Sequence, residues 1–130
     1  MKKILFFIPA IFFCCICGFA QTGIITTIAG NGSYDATGLQ TGYAQDIGLQ
    51  YVRGIDVDSA GNVFFVSGNT IKKINTLGMV TTIAGSMVAG HTGDGGPATA
   101  ALLNTPTMLK LDNHGNIYFI DNASFIYLEK

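Results

Sequence analysis

The chain has no tryptophan, only two histidines and three prolines among its 130 residues, and all three of its cysteines fall at Cys14, Cys15 and Cys17. Everything beyond Cys17 is without thiols. That excludes disulfides, cysteine-ligated zinc and thiolate catalysis from the body of the protein. Charge is scarce as well, at 12% Asp, Glu, Lys and Arg. Apart from Lys2-Lys3 and Lys72-Lys73 the basic residues stand alone, so the clustered cations that nucleic acid or an anionic membrane surface requires are missing. What is present is apolar and turn-rich. A 48% apolar content argues for a packed core, and 17 glycines with nine phenylalanines and five tyrosines, set among many Ile, Val and Thr, favour short strands over helices. The expected class is all-β.

Part of the apolar excess sits at the start. Lys2 and Lys3 form a basic beginning, Ile4 to Cys17 an apolar run short for a bilayer span, and Gly18-Phe19-Ala20 places small residues where a signal peptidase reads. Residues 1–20 therefore read as a cleavable secretion signal, with a retained anchor or a lipid-modified cysteine as the alternatives. The body left after cleavage has five basic and eight acidic residues. It is expected to be secreted or periplasmic, with no membrane contact once the signal is gone.

The body repeats itself. Gly23-Ile24-Ile25-Thr26-Thr27-Ile28-Ala29-Gly30 returns as Gly78-Met79-Val80-Thr81-Thr82-Ile83-Ala84-Gly85 at an offset of 55, and Asp58 to Val66 returns as Asp112 to Ile120 at an offset of 54. One residue is lost in the loop between Gly38 and Gly42, where a deletion costs least. The copies divide the chain at residues 21–77 and 78–130. A fixed period of about 54 residues marks a repeat architecture.

Each copy reads as four strands, in the first copy Ile24 to Ala29, Arg53 to Val57, Val63 to Val66 and Thr70 to Ile74. The middle two are joined by a hairpin in which Asp58 can accept bonds from nearby backbone N–H groups and Gly61 can take a positive φ; Asp112 and Gly115 repeat the device. Val63-Phe64-Phe65-Val66 and Ile117-Tyr118-Phe119-Ile120 are apolar on both faces, so a layer should lie on each side. The half-polar Ile71-Lys72-Lys73-Ile74 reads as an outer edge strand. Small sheets of this kind stack radially in a propeller, with a two-sheet sandwich as the other arrangement.

At this point a family comes into view. Thr81-Thr82-Ile83-Ala84-Gly85, the loop Gly93-Asp94-Gly95-Gly96-Pro97-Ala98-Thr99, Asn104-Thr105-Pro106 and the Asp112 to Ile120 hairpin resemble a repeat of NHL-type β-propellers, of the kind found in secreted bacterial proteins. In the first copy the loop has drifted to Gly38-Leu39-Gln40-Thr41-Gly42-Tyr43-Ala44. The resemblance implies two four-stranded antiparallel blades of an incomplete propeller. Two blades bury two of four faces, and each open face spans roughly 300 Å². Self-association through these faces is therefore expected, and the chain reads as a piece of a longer propeller, with closure of three copies into a ring as the other arrangement.

Chemistry is sparse. Asp56-Val57-Asp58-Ser59-Ala60-Gly61 fails as a calcium loop because Ala60 and Ser67 stand where oxygen ligands belong. Gly93-Asp94-Gly95-Gly96 lacks the Lys-Ser/Thr ending of a phosphate cradle and reads as a structural loop. His91 and His114 both fall in loops without a fixed partner. No catalytic residue, metal ligand or cofactor is expected, and the leading reading is a non-enzymatic binding or scaffold module for protein or glycan. The alternative is a piece of a metal-dependent propeller lyase or lactonase, whose ligands would come from several blades.

Overall fold

The computed structural model describes residues 23–35 and 41–129. The expected secretion signal and the tip of the drifted loop lie outside the described residues. The fold is all-β and open, consistent with an incomplete propeller. Among the described residues there is no α-helix, only a 3₁₀ turn at Ala98–Ala100.

The first sheet holds five antiparallel strands in the order β1-β5-β4-β3-β2: β1 (Gly42–Tyr43), β2 (Arg53–Val57), β3 (Val63–Ser67), β4 (Thr70–Ile74) and β5 (Met79–Ala84). The second holds three, β6 (Pro106–Leu111), β7 (Ile117–Asp121) and β8 (Ser124–Leu128), in sequence order. Strands β2 to β5 and β6 to β8 each form a meander of neighbours, as in propeller blades, whereas a Greek-key sandwich would pass the chain between sheets.

Burial follows strand periodicity. In β3, Phe64, Phe65 and Val66 are all buried, because each face of the first sheet carries its own apolar layer. One layer lies between the sheets and joins Phe64, Val66 and Ile71 to Leu109, Ile117 and Phe119. The other lies on the far face, where Phe65, Ile74 and Val80 meet Ala44 and Ile47 of the loop before β2. β7 has only one such cover: Ile117 and Phe119 are buried, while Tyr118 and Ile120 alternate onto an open face.

The sheets are joined at their innermost strands. Both β2 and β6 carry a bulge, at Gly54 and Met108, residues equivalent in the repeat and both at positive φ, +50° and +53°. Just beyond them, Asp56 Oδ2 accepts the Leu111 N–H at 2.9 Å and lies 3.5 Å from Lys110 Nζ.

Three expectations need correction. Ile24 to Ala29 forms no strand, and Ile25 is fully exposed, because a strand exists only with a hydrogen-bonding neighbour and none is present there among the described residues. The equivalent segment in the second copy does pair, as β5, and it pairs backwards onto β4, so the two sheets hold five and three strands where four and four were expected. Consequently β4 is interior and not an edge. Lys72 is 1% exposed, and its ammonium donates to Thr82 Oγ1 at 2.9 Å.

Candidate functional site

The hairpin residues fasten the β2–β3 and β6–β7 turns in the same way. Asp58 Oδ1 accepts the N–H groups of Ala60 (3.0 Å) and Asn62 (2.8 Å), and Oδ2 accepts Asn62 Nδ2 at 2.7 Å. Asp112 does the same with His114, Asn116 and the Asn116 side chain at 2.8, 2.9 and 2.7 Å. Gly61 and Gly115, at φ +86° and +88°, turn the chain so that each N–H reaches back to the aspartate carbonyl. The Asn62 side chain, assisted by backbone N–H groups, holds the Asp58 carboxyl below the usual range. At Asp112 burial acts upward, but the Asn116 and His114 bonds outweigh it. These carboxylates already accept several donors, which suits a structural role.

The Gly93-Asp94-Gly95-Gly96-Pro97 loop folds over the second sheet. The Gly96 N–H donates to Gly93 O at 3.0 Å, Pro97 leads into the 3₁₀ turn, and Asp94 and Gly95 are exposed. Gly93 cannot be larger, since a Cβ there would lie 2.7 Å from the Ala101 Cα. No site residue expected from the sequence is drawn by this loop toward another. It roofs a cleft.

The cleft has a volume of about 470 Å³ and runs along the whole of β8, between that strand and the loop. Its floor includes Phe119 and Ile126, and at one end stands a polar cluster. Asp121, 2% exposed, accepts the Asn104 N–H at 2.7 Å, and its other oxygen lies 3.4 Å from His91 Nδ1. Asn104 Nδ2 is 3.3 Å from His91 Nε2. His91 thus has fixed partners, which the sequence did not suggest, although its side chain is still 49% exposed; His114, 86% exposed, lies 3.9 Å from Asp112 Oδ2.

Two of these features escaped sequence reasoning. Asp121 stands where the first copy has Ser67, and Asn104 where it has Gln50; there the same contact is made by the Gln50 N–H to Ser67 Oγ at 3.0 Å. Comparison at the offset of 54 would have revealed a carboxylate replacing a hydroxyl. Lys72 likewise stands opposite Ile126 in the second copy. Burial pushes its ammonium down, and the Asp35 carboxylate partly offsets this.

On its far side the second sheet exposes an aromatic group. The Tyr118 ring is 5.1 Å from Tyr127 and 6.1 Å from Phe125, centroid to centroid, and Phe125 is 71% exposed. Among the described residues no three His, Cys, Asp or Glu side chains gather in a way that could hold a metal ion, and no helix is long and apolar enough to cross a membrane.

Residues 34–90 match the family model described as the Teneurin NHL domain. Among curated proteins the chain is similar to Teneurin-1 of Gallus gallus, 37% identical over 87 residues, which is 62% of this chain and 3% of that protein. It is similar also to Teneurin-1 of Homo sapiens, 34% identical over 87 residues with the same coverage. The chain therefore spans about 3% of the length of these relatives. The matches support an NHL-type repeat. They lend no support to a bacterial secreted origin, since both relatives are vertebrate proteins.

Proposed function

We propose that the chain is an exported NHL-type binding module, without chemistry of its own, that takes an extended segment of a protein partner along β8. The observation that carries this reading is the cleft. One wall is the outer edge of β8, a strand that has a partner on one side only among the described residues, and the roof is the Gly93 to Pro97 loop. In the first sheet the corresponding space, between β4 and β1, is filled by β5, which pairs with both. A slot of that shape offers a row of backbone donors and acceptors to an incoming strand, with pockets for alternate side chains. A protein strand matches that row in spacing, donor to acceptor along its whole length. The sequence-level alternative, a metal-dependent lyase or lactonase, would need ligands from additional blades.

The test is a labelled peptide copying Gly78 to Gly85, titrated against dilute chain. Saturable binding is expected, with at least about a tenfold loss, near 1.4 kcal/mol, when alternate amides of the peptide are N-methylated. Absence of binding, indifference to N-methylation, or preference for an oligosaccharide panel would each refute the reading.

A further inference from the structure

We infer that the β8 slot is filled by Ile24 to Ala29 of a second copy of this chain, so that copies join head to tail. This rests on the reading of the cleft as a strand site, and it names the strand.

The repeat supplies the register. β4 and β8 are equivalent at an offset of 54, and β5 and residues 24–29 at an offset of 55. β4 pairs with β5 through Ile71↔Ala84, Lys72↔Thr82, Lys73↔Thr81 and Ile74↔Val80. Carried across, Phe125 faces Ala29, Ile126 faces Thr27, Tyr127 faces Thr26 and Leu128 faces Ile25. On the other flank, β1 pairs Gly42 with Val80; the equivalent pair is Gly96 with Ile25. The incoming segment would thus lie between β8 and the glycine loop, where the cleft is.

The donor segment is available and placed for export to another copy. Ile24 and Ile25 are 87% and 101% exposed, an unfavourable display of two large apolar side chains. The segment hangs from the first sheet by the Gly30 N–H donating to Ala44 O at 2.7 Å, just as β5 hangs from the loop over the second sheet by the Gly85 N–H donating to Ala98 O at 2.9 Å. Since β5 belongs to the sheet preceding the one that this loop covers, residues 24–29 belong to a sheet preceding the first. Their own β8 lies in the sheet that follows it. A β8 that receives residues 24–29 is therefore that of a second copy and not their own, and the contact is heterologous.

The faces match too. Strand exchange would bring the open Tyr118–Phe125–Tyr127 face of one copy against the outer layer around Phe65 of the next, as Phe64 and Ile71 now meet Phe119 within one chain. Such a contact repeats until a ring closes or a filament grows.

Disulfide trapping on the full chain, with Cys14, Cys15 and Cys17 changed to Ser, tests the register. Chains carrying Thr26→Cys are mixed with chains carrying Tyr127→Cys, and Thr27→Cys chains with Ile126→Cys chains. Adjacent antiparallel pairs alternate between hydrogen-bonded and non-bonded geometry, so at least one of the two mixtures is expected to give a disulfide-linked dimer. The mismatched mixture of Thr26→Cys with Ile126→Cys, whose side chains face opposite sides, should not. Light scattering should show concentration-dependent oligomers that Thr27→Pro, in an exposed segment, reduces to monomers. A monomeric parent chain, equal trapping of the mismatched pair, or oligomers unaffected by Thr27→Pro would each overturn the inference. Peptide binding to a chain that stays monomeric would remove the second copy as occupant and leave the strand-site reading standing.

Discussion

Phe119→Ala is expected to lower unfolding stability by about 3–5 kcal/mol, the cost of deleting a buried aromatic side chain whose surroundings cannot collapse. Phe119 is 2% exposed, and it fills the layer between the sheets together with Val66, Ile71 and Leu109. These come from both sheets, held apart by their own ladders, so neither can close over the void. For a small domain of about 5–15 kcal/mol total stability, the variant should be partly unfolded at ordinary temperature. Urea titration followed by tyrosine fluorescence measures the shift in midpoint. Phe125→Ala, also on the second sheet but 71% exposed, should move it by no more than about 0.5 kcal/mol. Equal effects from the two would mean that no layer between the sheets exists.

The second large effect is expected at the seam. Gly54→Ala places a Cβ 2.8 Å from the Leu109 backbone nitrogen and 3.1 Å from that of Met108, and neither backbone can give way without parting β2 from β6. The residue also sits at φ +50°, where a side chain adds about 1–2 kcal/mol. With repacking of about 1–3 kcal/mol, the expected loss is roughly 2–5 kcal/mol by the same titration. Met108 provides the contrast. It shares the left-handed conformation, but its side chain is 69% exposed, so Met108→Gly relieves strain without opening a contact and should stabilise by up to about 1 kcal/mol. A neutral Gly54→Ala would show that the bulges do not meet.

The sequence revealed those parts of the fold that local chemistry determines. Asp58-Gly61 and Asp112-Gly115 specify their hairpins within five residues, and the doubly apolar β3 announced that a layer covers each face. What it concealed depends on who stands next to whom. Ile24 to Ala29 and Met79 to Ala84 are nearly the same string, yet only the second is a strand, because only the second has β4 beside it. Strand propensity reports the capacity to pair and says nothing of the partner. The same gap explains Lys72: its polar character suggested an edge, whereas β5 pairs alongside it and Thr82 takes its ammonium in a buried position. The cleft was illegible for a related reason, since Asp121, Asn104 and His91 come from three segments that only the folded second sheet brings together.

The central claim is that the two sheets stand side by side and meet at bulges that are equivalent in the repeat. A nuclear Overhauser measurement tests it most directly. The Gly54 α-proton lying in the side-chain direction points at the Leu109 amide, 55 residues away. A cross-peak between these protons is predicted. Its absence, in a spectrum that does show Phe65 paired with Lys72 across β3 and β4, would mean that the sheets form but do not stack.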